Sequence, residues 1–284
     1  MKSLVIVLLL LVSSWAGADD VHPLEGRLWS VQEARFISRE ALFERLPAGG
    51  WLLLGEQHDH PEHHRIQKRW ISALAERQAL GAVALEMATH DQQPLFDSAL
   101  GKGKSVTPEA LEWNPRWPWS LYAEVVATAL DTAGAVAAAD LTRDEQRRAY
   151  REGAAQGELG EAHAERMREL LYESHCGQLP RDSLDSMRQV QLARDQQMAA
   201  VLERYAVPGR VGVMLTGGIH ARPDLGIPRW LALPSVSVLM VMVDGDSDPS
   251  SYLPDGLPGR RAADYLLFTS ALEDKDYCKG LREK

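Results

Sequence analysis

The chain has 284 residues, 45% apolar and 25% charged, with 22 glycines and 15 prolines. That ordinary globular mix excludes collagen-like, low-complexity and disordered classes, and leaves room for one large α/β domain or a domain with a subdomain. A net charge of −9 excludes broad polyanion binding such as DNA, while a small anionic ligand held by a few local arginines stays open.

Lys2 precedes the apolar run 4–12, and Ala16-Gly17-Ala18 makes a small-x-small site ahead of Asp19 and Asp20. This grammar predicts a secretory signal peptide over residues 1–18 and a periplasmic chain over 19–284. The run is too short to span a bilayer, which needs about 20 apolar residues. No cysteine stands at the predicted cleavage site, so no lipoprotein anchor is expected. In an oxidising compartment Cys176 and Cys278 are expected to pair, two free thiols being the alternative.

Continuous apolar runs then recur at 50–54, 82–85, 135–139, 211–215, 236–243 and 265–268. Such runs suit strands buried on both faces. Helical patterns separate them at 61–78, 121–132, 143–152, 160–172 and 183–205. The alternation predicts an α/β fold with a mostly parallel sheet flanked by helices. Residues 142–205 lack a strand-like run and read as a helical insertion or cap, a long crossover lying flat on the sheet being the alternative.

In open α/β sheets, ligands bind outside the carboxyl ends of the strands. The residues following the predicted strands are Gly55-Glu56-Gln57-His58, Glu86, Asp140, and Thr216-Gly217-Gly218-Ile219-His220-Ala221-Arg222. Three carboxylates, two imidazoles and an arginine are thus expected on one rim. Both histidines belong to a GxxH segment, 55–58 and 217–220. Its glycine allows a tight turn or close backbone approach, and its histidine points back over the sheet edge. A single GxxH is weak evidence; two at strand ends with Glu86 at a third point to a functional site. Histidines also crowd positions 58, 60, 63 and 64, where Asp59 or His60 would cap a helix opened by Pro61. No more than two of the four are expected to touch a ligand.

These residues carry a family resemblance. The strings LLLGEQHDHPEHHRIQ (52–67), ALEM (84–87), WPWSLYAEV (117–125), QLARDQQMA (191–199) and LTGGIHARPDLGIPRWL (215–231) resemble the ChaN family of haem-binding uptake proteins, in the wider Tiki superfamily. The resemblance implies an α/β core with a helical subdomain, an extracytoplasmic location and haem binding linked to iron uptake. It further implies a homodimer around stacked haems, with a tyrosine from one subunit and a histidine from the other on iron. Tyr122 fits the ligand stretch best, with Tyr150 and Tyr172 as alternatives. The chain departs from the family in lacking a lipid-acceptor cysteine.

The cofactor-binding candidates are therefore His58, Tyr122, His175, His220 and Arg222. Ferric haem takes imidazole or phenolate, and its propionates favour arginine. Arg222 and Arg229 flank the second GxxH, and Arg65 and Arg69 line the first helix. Trp113, Trp117 and Trp119, with Leu121, are offered as porphyrin-stacking groups, core packing being an equal reading. His175, beside Cys176 and ahead of Met187 and Gln191, becomes a positioned ligand if the disulfide forms. The competing reading is a metal-dependent hydrolase, an esterase or peptidase. In it His58 and His220 hold a divalent metal or act as base, and Glu56 or Glu86 polarises water. A binding or scaffold domain with no chemistry is the third reading.

Overall fold

The structure, a computed structural model, describes residues 21–272 and Cys278; the predicted signal peptide lies outside the described residues. In chain order its elements begin with β1 (Leu28–Ser30), β2 (Arg35–Ile37) and α1 (Arg39–Phe43). There follow β3 (Trp51–Glu56), α2 (Pro61–Glu76), β4 (Leu80–Thr89), α3 (Gln93–Ala99), α4 (Trp119–Thr132) and β5 (Ala135–Asp140). The second half holds α5 (Arg143–Glu152), α6 (Glu161–Ser174), α7 (Leu184–Tyr205), β6 (Val211–Gly217), α8 (Gly218–Ala221), β7 (Ser235–Met242) and β8 (Tyr265–Thr269).

The strands form one sheet in the order β2-β1-β8-β7-β3-β6-β4-β5. The six from β8 to β5 run parallel, and β1 pairs antiparallel with β2 and β8. All six apolar runs are strands, which confirms the α/β class with a mostly parallel sheet. The short strands β1 and β2 carry no run long enough to announce them. Side chains alternate between two buried layers: Leu52 and Leu54 of β3 enter one, Trp51 and Leu53 the other. Helices α2, α3 and α4 cover the first face, with Ile66, Trp70, Phe96 and Val126 buried there. The second face is covered by α7 through Met198 and Leu202, and by α8 through Ala221.

Two connections position the site. From β3 the chain passes through α2, on one face, to β4; from β6 it passes through α8, on the other face, to β7. Neighbouring strands β3 and β6 therefore send their chains apart, and the crevice between their carboxyl ends is where such sheets place ligands. Helix α2 starts there because Pro61 occupies its first turn and the His60 ring accepts from the Glu62 N–H at 3.2 Å. Within 142–205, α7 lies against the sheet as the last part of the β5–β6 crossover, while α5 and α6 pack on α7. Helix α5 opens with a capping box between Thr142 and Glu145. Cys176, just after α6, is disulfide-bonded to Cys278 across 102 residues.

The strands run further than the apolar runs alone indicate. Glu56, Glu86, Asp140 and Gly217 are inside their strands, not beyond them. Each of the three carboxylates is buried and bonded by neighbouring side chains, whose bonds offset the desolvation of polar residues within the ladders.

A histidine and carboxylate cleft at the strand ends

A cleft of about 790 Å³ opens at the ends of β3, β4 and β6, with α6 and α7 as one wall and β7 as another. Glu56, His58, Glu86, His175, His220 and Arg222 all line it, whereas Asp140 does not. The walls are largely apolar, with Met167, Leu170 and Leu171 on α6, and Ile219, Leu239 and Met240 near the sheet.

The two motif glycines serve close approach, not a tight turn. A Cβ at Gly217 would sit 2.8 Å from His58 Nε2, and one at Gly55 would sit 2.9 Å from Ala221 Cβ and 3.1 Å from Gly218 Cα. Gly217 has an ordinary φ of −62°. Space, and not a left-handed backbone, demands glycine here.

His58 is held from behind. Its Nδ1 lies 2.8 Å from Glu56 Oε1, and a carboxylate only accepts, so the ring donates Nδ1–H and turns Nε2 toward the cleft. Tyr122 donates its hydroxyl to the same Glu56 oxygen at 2.5 Å, and Gln67 donates to the other. The His58 side chain keeps 32% of its surface exposed. Burial opposes its charged form, but the carboxylates of Glu86 and Glu56 outweigh that and raise its pKa. Trp117 packs on the ring at 4.6 Å between centroids and also lines the cleft.

His220 is built the opposite way. Its Nδ1 donates to Asp195 Oδ1 at 2.7 Å, and its Nε2 accepts from Arg194 Nη1 at 3.0 Å. That contact describes the neutral ring, since an imidazolium has nothing left to accept with. Burial disfavours the charged ring, yet Asp195 and Glu86 raise its pKa, so protonation is easier than for a free histidine and costs the Arg194 bond. Arg194 also donates to Glu86 Oε1 at 2.7 Å and grips Asp140 at 2.8–3.1 Å. Glu86 takes two further bonds, from Thr216 Oγ1 and the Gly217 N–H, both at 2.6 Å. Against the burial that raises it, His220 and Arg194 lead in holding its pKa well below the ordinary carboxylate range.

Two of the candidates are held by their neighbours. Tyr122 does not line the cleft: its side chain is fully buried, its hydroxyl is given to Glu56, and burial and the Glu56 charge raise its pKa. Arg222 lines the cleft, but its guanidinium is paired with Asp224 at 2.7 and 2.9 Å and donates to the Asp255 carbonyl, leaving little to offer an anion. Arg229 donates to the Asp224 carbonyl, and Arg65 and Arg69 are exposed on α2, so none of these lines the cleft. Trp113 is buried, bonded to the Trp117 carbonyl and edge-on to Trp119. His60 and His63 are structural: they stack at 4.1 Å, His60 bonds the Ser270 carbonyl, and His63 accepts from the Gln57 N–H. Burial and the neighbouring imidazoles push the His63 pKa down to about 2. His175 terminates α6 with Nδ1 on the Leu171 carbonyl at 2.8 Å, which leaves Nε2 as an acceptor.

Arg194, which lines the cleft, and Asp195, buried behind His220, fall within the QLARDQQMA string but not among the candidates. The missed signal is spacing: Leu192, Asp195, Met198 and Leu202 share one helical stripe, so Asp195 had to be buried and paired. Glu86 Oε1 lies 3.9 Å from His58 Nε2 and 3.7 Å from His220 Nε2, with the Arg194 cation bonded to both Glu86 and His220. Among the described residues no three His, Cys, Asp or Glu side chains converge to hold a metal ion. The size and apolar walls of the cleft suit a flat apolar ligand, to which it offers imidazole nitrogen.

The profile of the family described as haem-binding uptake, Tiki superfamily, ChaN matches residues 42–231. Among solved structures, the chain is similar to the one titled cofacial heme binding to ChaN of Campylobacter jejuni. The TM-score is 0.67 at 23% identity, covering 84% of this chain and 95% of that one. A Bacillus cereus protein aligns with TM-score 0.49 and 10% identity over 81% and 90% of the two chains. An erythromycin esterase, EreC, aligns with TM-score 0.44 and 13% identity over 76% and 77%. No curated protein matches the chain.

Proposed function

The chain belongs to the haem-binding uptake family ChaN of the Tiki superfamily, and from that premise we propose that it binds haem in the strand-end cleft as a periplasmic uptake protein. The observation that carries the reading is His58. Its Nδ1–H is fixed on Glu56, so Nε2, the nitrogen that would hold iron, faces a largely apolar cleft of about 790 Å³. Trp117, Met167, Leu171, Ile219 and Leu239 supply surface for the porphyrin, and His175 supplies a second imidazole from the α6 wall. Export rests on the sequence of residues 1–18, and no described helix is long and apolar enough to cross a membrane. Pairing of two copies around the haem follows the family pattern.

Haemin titration tests this, read by Soret absorbance and by mass from size-exclusion light scattering. A saturable Soret shift is expected that His58→Ala abolishes or moves to a weak-ligand spectrum, with a mass change reporting assembly. An identical titration of His58→Ala overturns the assignment of iron to His58. No spectral change in the native protein overturns haem binding.

One observation favours a second reading, hydrolysis. The buried Asp195–His220 pair is a base with its orienting carboxylate. Its Nε2 is engaged by Arg194, so this reading requires the arginine to move. A panel of chromogenic esters and peptides tests it, with turnover expected to vanish in His220→Ala.

A further inference from the structure

Two of the three guanidinium groups lining the cleft are held by buried carboxylates, Arg194 by Asp140 and Glu86, and Arg222 by Asp224. The third, Arg166, meets only the half-exposed Glu169 at 3.1 Å and keeps a buried Nε without a partner. More guanidinium groups without a buried counter-charge gather next door.

A second groove, of about 500 Å³, adjoins the cleft where Gln191 of α7 lines both. Arg116, which neighbours the cleft residue Trp117 in the chain, enters it from the loop before α4; Arg143 and Arg147 enter from α5. Among the described residues, the Arg116 and Arg143 side chains make no hydrogen bond or ion pair. Arg147 reaches Asp144 at 2.9 Å, both side chains being well exposed, which holds it weakly. Three like charges converge on one concavity in a chain whose net charge is −9. The rest of the groove is built for a ring. Met187 and Val190 form an apolar floor, and Tyr150 stands beside them 43% exposed, one of only two large apolar or aromatic side chains among the described residues to be so open. Guanidinium pairs carboxylate through two parallel bonds and stacks on π-faces, which selects an aromatic acid over a simple anion.

We propose that the groove formed by Arg116, Arg143, Arg147 and Tyr150 is a binding site for the carboxylates of an aromatic ligand. It rests on the haem reading only for the source of those carboxylates, which there are the propionates of a haem reaching across from the cleft. A free aromatic carboxylate is the other source.

The test compares the native chain with R116Q/R143Q/R147Q, three exposed positions whose change is checked by thermal melting. The probes are haemin, its dimethyl ester and phthalate. Haemin affinity is expected to fall about tenfold or more in the variant, with the dimethyl ester bound alike by both proteins and the Soret position unchanged. Phthalate binding lost in the variant, with haemin unaffected, supports the groove as a site for a free aromatic carboxylate. If the native protein binds no haemin but its phthalate binding is lost in the variant, the haem reading falls and the groove stands. Equal behaviour of both proteins toward haemin and phthalate overturns the proposal. Should the triple variant melt early, R143Q alone is used with the same outcomes.

Discussion

His58 and His220 end the same four-residue spelling at neighbouring strand ends, yet one ring keeps a nitrogen open to the cleft and the other is tied at both. His58 has one nitrogen tied to Glu56 and the other facing the cleft; His220 has both nitrogens engaged, by Asp195 and Arg194. The motif decides only where the ring starts. The groups behind the ring decide its role, a strand carboxylate under His58, a helix carboxylate and a guanidinium under His220.

The sharpest way to break this contrast is to remove each ring. His220→Ala leaves Asp195 buried without its donor and is expected to cost about 3–5 kcal/mol, read as a lowered urea midpoint. His58→Ala is expected to cost about 1 kcal/mol or less and to remove the haem spectrum. Equal stability losses from the two variants sink the distinction.

The glycines give a finer version. Gly55→Ala drives a Cβ into Ala221 and the Gly218 backbone, and about 1–3 kcal/mol is expected from calorimetry or urea unfolding. Gly217→Ala meets the His58 ring tip at 2.8 Å, so relief tilts the ring and strains its bond to Glu56 while the backbone stays in place. Stability is then expected to change by less than about 1 kcal/mol, while haem affinity drops. A haem titration of both variants checks the inversion; stronger haem loss in Gly55→Ala refutes it.

The contrast also explains what the sequence could show. All six long strands were legible because burial on both faces forces unbroken apolar runs, as in β3 and β6. The strand-end logic found Glu56, His58, Glu86 and His220 because sheet topology alone brings those ends together. Strands β1 and β2 were not legible, because three residues set by pairing at the edge carry no pattern of their own. The burial of Tyr122 was not legible for a similar reason. An aromatic after two tryptophans reads the same whether it faces a ligand or, as here, a carboxylate beneath the surface. The engagement of Arg222 by Asp224 depends on a turn that no periodicity encodes.

The smallest expected effect is in pH, because the groups on the His220 side pull against one another. Glu86 has a folded pKa depressed below its ordinary value of 4.5, so the stability it contributes is present above that value and is lost as pH falls. His220 has a raised pKa, so its contribution is full below its ordinary 6.5 and is lost as pH rises through the folded value. Between them they place the most stable range of this region from about 4.5 to about 6.5. Burial raises the pKa of Asp195 above its ordinary value, against the pull of His220 and Arg194. Its contribution is lost as pH rises through its own folded value, against the trend of Glu86. The acid limb should accordingly be shallow in the native chain. Glu86→Gln removes the opposing carboxylate, and the urea midpoint followed from pH 3.5 to 8 is expected to lose its fall on the acid side. A variant with an acid limb as steep as the native one would show that the Arg194 network sets no pH dependence.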